Sequence, residues 1–289
     1  MYPASFEYHS PKTMQEAIGL MGKLGDDAKL LAGGHSLIPM MKLRLAQPKH
    51  LIDLKNVPGL KGVKEDGNAI AIGAMTTWYE LETSPIIKSK CGVIADTAKI
   101  VGDPAVRNLG TIGGSLAHAD PAADMPATAI ACNFEFVCEG PKGRRTVKPD
   151  DWFQGLMTTA VKDDEILVEI RVPALAKGTG AAYMKFAHPA SRFAIVGVAA
   201  VIATDGNGTC SKASIGITGA GTKAVRAKGV EAALNGKNLA GAGAIEAAAQ
   251  SAAEGVDVQA DLQGSVEYKA HLCRVFAKRA VEAAVKNAG

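Results

Sequence analysis

The chain has 289 residues, of which 47% are hydrophobic and 21% are charged, and its formal net charge is only +3. These values are typical of a globular protein of about two domains. A charge so close to zero, without a dense cluster of lysine and arginine, excludes a strong electrostatic case for nucleic-acid binding.

The N-terminal part of the chain has the pattern of a small β-α-β unit. A helix is predicted over 11–24, because Thr13 can cap it and apolar side chains recur along one face. A short buried strand over 28–32, a helix over 37–45 and a second strand over 51–54 follow.

From about residue 57 to residue 173, predicted strands and helices alternate. Strands over 63–65 and 69–72 flank Asp66-Gly67-Asn68, which is a good hairpin signal. The remaining predicted elements of this segment are helices over 76–82, 86–101 and 122–131 and strands over 134–138 and 165–172.

The composition changes at Ala176-Lys177-Gly178-Thr179-Gly180, which we take as a domain boundary. We therefore predict a first domain over 1–176, with subdomains of about 1–56 and 57–176, and a second domain over 177–289. The second domain is expected to hold an antiparallel three-strand set and Ala-rich helices. The strands are predicted over 181–187, 194–203 and 212–218, and the helices over 223–234, 242–255 and 265–287.

The chain lacks the residue spacings of a metal, iron–sulfur or nucleophile site. Its five cysteines contain no C-x-x-C pair, and its six histidines form no H-E-x-x-H motif. No G-x-S-x-G elbow is present, and no convincing catalytic base emerges. A redox role would therefore rely on an organic cofactor that supplies the chemistry.

The cysteines, the N-terminus and the longest apolar run indicate where in the cell the protein is located. An odd, scattered set of cysteines is typical of free thiols in a reducing compartment. The N-terminus lacks the basic and apolar regions of a signal peptide, and the longest apolar run, 194–203, is about half of what a spanning helix requires. We predict a cytoplasmic protein without a transmembrane segment, and peripheral contact with a membrane stays open.

Two glycine pairs are the candidates for a binding site. Ala32-Gly33-Gly34-His35-Ser36 follows a predicted strand, and Thr111-Ile112-Gly113-Gly114-Ser115 lies between a loop containing Pro104 and a predicted helix start at Asp120-Pro121. Glycine permits close approach, so that successive backbone N–H groups can point at one anion. A single pair is more often an ordinary tight turn. Two pairs with neighbouring hydroxyls indicate a site for the two phosphates of a pyrophosphate.

A third glycine-rich string, Gly219-Ala220-Gly221-Thr222-Lys223-Ala224, matches the G-x-G-x-x-A pattern of dinucleotide-binding folds. No second parallel strand or suitably spaced acid follows it. We therefore interpret this string as a turn that enters a helix.

With these residues in view, the chain resembles the FAD-binding medium subunits of molybdenum hydroxylases, the xanthine dehydrogenase family, and in particular the medium chain of aerobic carbon monoxide dehydrogenases. The resemblance runs nearly end to end, and the A-G-G-H-S and T-I-G-G strings together are highly specific. The strings that carry it are Pro3-x-x-Phe6-x-Tyr8-x-x-Pro11, Ala32-Gly33-Gly34-His35-Ser36-Leu37-Ile38-Pro39, Leu51-Ile52-Asp53-Leu54, Ile72-Gly73-Ala74-Met75-Thr76-Thr77, Arg107-Asn108-Leu109-Gly110-Thr111-Ile112-Gly113-Gly114 and Pro121-x-x-Asp124-x-Pro126.

The resemblance implies an α+β fold. A two-subdomain FAD-binding α/β domain of the PCMH type would precede a smaller domain with a three-stranded antiparallel sheet and a helical bundle. It implies FAD as the cofactor of this chain, and it assigns no catalytic residue and no metal ligand here. The implied FAD contacts are Ala32, Gly33, Gly34, His35, Ser36, Leu37, Thr111, Ile112, Gly113, Gly114, Ser115, Asp124, Leu167, Lys185 and Phe193.

Two of these residues have plainer alternative interpretations. Lys185 is either a cation near the polar edge of the flavin or an exposed strand lysine. Asp124 either binds the nucleotide half of FAD or is a charge that favours the first turn of a helix. The chain also departs from the family pattern at Ser115, where asparagine is common, and at 190–194, where Arg192 replaces an acidic residue while Phe193 keeps the aromatic.

The resemblance further implies two partner subunits. They are a large subunit with the molybdenum cofactor and a small subunit with two [2Fe-2S] clusters, and the three chains would assemble as a dimer of heterotrimers. Electrons would pass from the clusters through FAD to a quinone or another acceptor. Carbon monoxide is the expected substrate. The alternatives are an N-heterocycle, purine or aldehyde hydroxylase, a freestanding flavin oxidase, and a non-catalytic nucleotide-binding module.

Overall fold

The computed structural model describes residues 1–288, apart from the side chain of Ala242. Position 289 of the predicted second domain lies outside the described residues. Three clusters of buried hydrophobic side chains form the core. They are centred on residues 17–60, on residues 70–172 and on residues 182–284.

The N-terminal sheet has three parallel strands in the order β1-β3-β2. The predicted β-α-β unit is confirmed, and Thr13 caps its first helix by accepting a hydrogen bond from the Glu16 amide at 3.1 Å. The short strand β1 was not predicted. The elements are β1 (Glu7–His9), α1 (Met14–Leu24), β2 (Ala28–Leu31), α2 (Leu37–Lys42) and β3 (His50–Asp53).

The second sheet has five strands, all paired antiparallel, in the order β4-β5-β10-β6-β7. The hairpin predicted around Asp66-Gly67-Asn68 is confirmed, since β4 and β5 pair directly across it. The strands of this segment are β4 (Val63–Asp66), β5 (Ala69–Gly73), β6 (Glu135–Gly140), β7 (Gly143–Val147) and β10 (Ile166–Pro173), with β8 (Phe153–Gly155) and β9 (Thr158–Thr159) as a separate small pair.

Six helices accompany the second sheet. Two of them stand where the sequence predicted a loop, because Asp103 and Thr111 cap them by accepting from the amides of Val106 and Gly114. The predicted helix over 122–131 begins later, since Asp120 accepts from the Ala122 amide in a preceding turn. The helices are α3 (Trp78–Thr83), α4 (Pro85–Lys99), α5 (Pro104–Leu109), α6 (Ile112–His118), α7 (Met125–Ala131) and α8 (Pro149–Trp152).

The C-terminal sheet is antiparallel, and helices cover it. The α+β fold class is confirmed, with a short fourth strand added to the predicted three. The elements are β11 (Thr179–Ala187), β12 (Ala194–Thr204), β13 (Cys210–Thr218), β14 (Val225–Arg226), α9 (Lys228–Leu234), α10 (Ala242–Ala249) and α11 (Val266–Ala288).

The prediction of one helix over 223–234 is wrong in its first half. Val225 and Arg226 pair with Ile217 and Gly216, so that this stretch continues the sheet before α9 begins. Pairing with a neighbouring strand outweighs the helical propensity of an Ala-rich segment. The domain boundary at 176–180 stays a prediction. Among residues 1–288, no helix is both long and apolar enough to cross a membrane.

Candidate cofactor-binding site

A cavity of about 720 Å³ lies between the N-terminal sheet, the α5–α6 region and the loop that joins β11 to β12. Its volume is in the range of small-molecule and cofactor sites, about 300–1,000 Å³. Ile112 and Lys185 do not line it. The other predicted cofactor residues do, namely Ala32, Gly33, Gly34, His35, Ser36, Leu37, Thr111, Gly113, Gly114, Ser115, Asp124, Leu167 and Phe193.

The first glycine pair forms the turn between β2 and α2. Within residues 1–288, the backbone N–H groups of Gly33, Gly34, His35 and Ser36 donate no hydrogen bond. Gly34 has φ +74°, a conformation that side chains rarely adopt. A row of unpaired amides facing a cavity is a cradle for an anion, because each N–H seeks an acceptor.

The second glycine pair differs from expectation, because its amides are already bonded within the protein. The Gly113 amide donates to the Ala74 carbonyl at 2.8 Å, and the Gly114 amide donates to Thr111 Oγ1 at 3.2 Å. The Ile112 amide donates to the Thr76 carbonyl at 3.0 Å. This segment therefore offers the cavity open space and the Ser115 hydroxyl, and not a second row of free amides.

The two glycine pairs lie against each other. A Cβ added to Gly33 would collide with the Leu109 carbonyl and would lie 2.8 Å from the Gly110 Cα. A Cβ added to Gly114 would lie 2.8 Å from Thr111 Oγ1 and 3.4 Å from the Ala32 Cβ. Glycine at position 33 is thus needed for the close approach of the two segments, and their joint binding of a pyrophosphate stays a prediction.

The turn between β5 and α3 is hydrogen-bonded to the segment of the second glycine pair. This contact was not predicted from the sequence. Trp78 donates its amide to the Gly110 carbonyl at 3.1 Å, and its indole Nε1 lies 2.9 Å from where a Cβ on Gly110 would be. Trp78, Ala74 and Met75 also line the cavity. The string 72–77 was part of the resemblance, which is the signal from which this support could have been inferred.

Asp124 lies in the cavity wall as a buried carboxylate with two protein donors. Tyr183 donates its hydroxyl to Asp124 Oδ1 at 2.7 Å, and Lys185 Nζ donates to Oδ2 at 2.9 Å. The Lys185 ammonium also donates to the carbonyls of Ile100 and Arg192, at 2.9 and 2.8 Å. The interpretation of Lys185 as an exposed strand lysine is wrong, and its charge lies behind Asp124.

Burial is the largest influence on the pKa values of Asp124 and Tyr183. Burial raises the pKa of Asp124 above its ordinary value, although Lys185 and Tyr183 act in the opposite direction. Burial, and then the charge of Asp124, raises the pKa of the Tyr183 hydroxyl well above its ordinary value. Asp124 directly precedes α7 and makes no side-chain hydrogen bond to it, and its interpretation as a charge that favours the first turn of a helix stays a prediction.

Leu167 and Phe193 also line the cavity. Leu167 precedes a shift of register between β10 and β6, where the strand bends. Phe193 is 46% exposed and ends the 188–193 turn, in which His188 donates its amide to the Phe193 carbonyl. Arg192 in this turn has φ +62°. The aromatic ring thus lies at the rim of the cavity.

The third glycine-rich string, 219–224, does not line this cavity. Its interpretation as a helix entry is wrong, since β14 follows it. A Cβ on Gly219 would lie 2.6 Å from the Ala194 carbonyl, and one on Gly221 would lie 2.7 Å from the Asp257 carbonyl. These glycines permit close packing of the chain at the edge of the C-terminal sheet.

Two family models match the chain. One, described as the FAD binding domain in molybdopterin dehydrogenase, matches residues 4–175. The other, described as the CO dehydrogenase flavoprotein C-terminal domain, matches residues 181–284. The carbon monoxide dehydrogenase medium chain of Hydrogenophaga pseudoflava is 47% identical over 284 residues, which is 98% of each chain.

Solved structures give the same result. A structure of carbon monoxide dehydrogenase from Hydrogenophaga pseudoflava, lacking the Mo-pyranopterin moiety of the molybdenum cofactor, matches with a TM-score of 0.96 at 48% identity and covers 99% of each chain. Quinoline 2-oxidoreductase from Pseudomonas putida 86 matches with a TM-score of 0.93 at 30% identity, over 100% of this chain and 99% of the other.

Proposed function

The chain belongs to the FAD-binding medium subunits of the molybdenum hydroxylases, and from this membership we propose that it passes electrons from the [2Fe-2S] clusters of a partner subunit through FAD to a quinone or another acceptor. It is an oxidoreductase subunit, as its relatives are. The observation that supports the proposal most is the row of unpaired amides in the turn after β2, whose residues line a cavity of about 720 Å³.

The residues of the cavity fit FAD. The amides of Gly33 to Ser36 have the donors that a pyrophosphate requires, and the glycines leave room for its close approach. When bound, FAD supplies the redox chemistry that amino-acid side chains lack. The protein contributes binding, orientation and exclusion of water.

The residues that line the cavity have different roles in the proposed binding of FAD. The 33–36 turn donates hydrogen bonds to the phosphates, and Ser115 adds a hydroxyl from the facing segment. Asp124, whose direction is held by Tyr183 and Lys185, accepts hydrogen bonds from hydroxyls of the nucleotide half. Phe193 packs at the rim and keeps water from the ring system.

We assign substrate oxidation to a large subunit with the molybdenum cofactor and the relay to a small subunit with two [2Fe-2S] clusters, in a dimer of heterotrimers. The five cysteines of this chain are buried and free, which supports a cytoplasmic location. Carbon monoxide is the proposed substrate of the complex, supported by 47% identity to a carbon monoxide dehydrogenase medium chain over nearly the whole length.

One alternative has a specific observation in its favour. The fold match to quinoline 2-oxidoreductase is nearly as high, with a TM-score of 0.93. Arg192 also departs from the pattern common in carbon monoxide dehydrogenase medium chains. An N-heterocycle hydroxylase is therefore the second candidate, ahead of a purine or aldehyde hydroxylase or a freestanding flavin oxidase.

The test is purification of the chain, alone and with the subunits encoded beside it, followed by dye reduction with carbon monoxide, quinoline, xanthine and an aldehyde. We expect FAD in the chain, and turnover only in the three-subunit assembly. Flavin reduction by one of these substrates in the isolated chain would favour a freestanding flavoenzyme. A colourless chain from the intact assembly would contradict the FAD assignment.

A further inference from the structure

Three side chains with metal-binding atoms meet on the N-terminal sheet, outside the cofactor cavity. His9 Nε2 lies 3.1 Å from His50 Nδ1. Glu7 Oε2 lies 3.4 Å from the same His50 atom and 3.9 Å from the same His9 atom. One atom from each residue thus forms a small triangle, and none of the three residues lines the cavity.

The strand register explains why these residues meet although 41 positions separate the two histidines. Strands β1 and β3 are parallel neighbours, and Glu7 is directly opposite His50. His9 is two residues after Glu7, and side chains two apart on a strand project from the same face. All three groups therefore project from one face of the sheet, while Tyr8 between them bonds to Asp53.

The size of the triangle matches the coordination sphere of a zinc-type ion. Zinc lies about 2.0–2.1 Å from imidazole nitrogens and about 2.0–2.2 Å from carboxylate oxygens. Two ligands of a tetrahedral site are then about 3.4 Å apart. The observed separations of 3.1, 3.4 and 3.9 Å bracket this value.

We propose that Glu7, His9 and His50 form a binding site for a divalent transition ion of the zinc type. Two imidazoles and one carboxylate are a ligand set that such ions favour. Facing imidazole nitrogens share at most one proton between them, whereas a metal ion accepts a lone pair from both. Glu7 is 74% exposed and the histidines are 24% and 19% exposed, so water completes the coordination.

A bound ion would hold the edge strand β1 to its neighbour β3. Strand β1 has three residues and, within the described part of the chain, pairs with β3 alone, so it is held by few hydrogen bonds. Two ligands come from β1 and one from β3, and a bound ion would cross-link the strands. Binding to the folded chain alone stabilises that fold by mass action.

The experiment uses the full-length chain, freed of metal by a chelator and desalted. Calorimetric titration with ZnCl2 measures the affinity, the absorption spectrum with CoCl2 reports tetrahedral coordination, and thermal unfolding is followed with and without ZnCl2. The variants are Glu7→Gln and His50→Gln, and the control His271→Gln removes an exposed imidazole on α11.

We expect one zinc equivalent that is lost, or weakened by about tenfold or more, in Glu7→Gln and His50→Gln but kept in His271→Gln. Zinc should raise the unfolding temperature of the wild type and the control and leave that of the two site variants unchanged. Equal zinc affinity in all four proteins, or a cobalt spectrum without the tetrahedral bands, would overturn the proposal. Because Glu7 is exposed, the Glu7→Gln variant keeps the test valid should His50→Gln fold poorly.

Discussion

Lys185 Nζ lies 2.9 Å from Asp124 Oδ2, and each of the two side chains is 6% exposed. The contact joins strand β11 to the residue that precedes α7, across 61 positions of the chain. Asp124 lines the cofactor cavity and Lys185 does not, so that under the proposed function we expect the lysine to influence a bound cofactor only by fixing the carboxylate.

Loss of the lysine should therefore leave an unpaired buried charge. We predict that Lys185→Met lowers the free energy of unfolding by about 3–5 kcal/mol, the usual cost of removing one member of a buried ion pair. The double variant Lys185→Met/Asp124→Asn should recover part of that loss, because it buries no charge. Urea unfolding of the two variants measures the difference. A double variant that is less stable than Lys185→Met would contradict the account.

Close approach of the two glycine pairs gives a second prediction. In Gly33→Ala the new methyl group would meet the backbone of Leu109 and Gly110, which must move. We expect overpacking of about 1–3 kcal/mol and a loss of about tenfold or more in FAD affinity. Gly19→Ala is the matched control, because a Cβ there meets nothing within 4 Å. Flavin content per chain, read from visible absorbance, should fall only in Gly33→Ala.

The pair between Glu165 and Arg145 predicts how stability depends on pH. Hydrogen bonding to Arg145 lowers the pKa of Glu165 below its ordinary value of 4.5. A carboxyl with a lowered pKa in the folded state stabilises the fold above its unfolded pKa and loses that effect as the pH falls through its folded pKa. Glu165→Gln should thus cost about 1–3 kcal/mol near neutrality.

The cost of Glu165→Gln should shrink as the pH falls below 4.5. Unfolding of both proteins by urea from neutral to acid pH measures this. Glu246→Gln removes an exposed partner of Lys278 and should change stability by about 1 kcal/mol or less. If the loss of unfolding free energy in Glu165→Gln stays constant down to acid pH, the Glu165 carboxylate has no role in the pH dependence of stability.

Arg226 bridges the two halves of the chain. From β14 its guanidinium donates to the carbonyl of Ile130 and the side chain of Asn133, both at 2.9 Å, and to Asp150 at 2.9 Å. We predict that Arg226→Met lowers the free energy of unfolding by about 2–4 kcal/mol. Arg171→Met, which removes a 44% exposed arginine, should cost about 1 kcal/mol or less. Equal denaturation midpoints for the two variants would refute the bridging role.

Elements with a local signal could be predicted from the sequence. The capped helix α1, the β4–β5 hairpin and the apolar strand β12 each carry a periodicity or a turn motif that needs no distant partner. The residues of both glycine pairs could be identified because their spacing is a motif in itself. That the two pairs bind one pyrophosphate stays a prediction.

Features that depend on distant partners could not be predicted. Strand β14 forms because β13 is beside it, and α5 and α6 are short helices whose caps resemble loop residues. The pairing of the second set of amides with Ala74 and Thr76 is likewise invisible in a linear motif. The burial of Lys185 could not be predicted either, because the sequence pattern of a strand does not show whether a long polar side chain points into the protein or into solvent.

The unpaired amides of the 33–36 turn have a consequence for hydrogen–deuterium exchange. An amide proton that has no acceptor in the described part of the chain exchanges rapidly, whereas a donor held by a ligand is protected. In a mixture of subunits with and without FAD, a peptide spanning this turn would therefore show two mass populations. The heavier one would come from the empty subunits and the lighter one from the subunits that hold FAD. The turn would report the fraction of occupied subunits inside an intact assembly, independently of colour and of turnover.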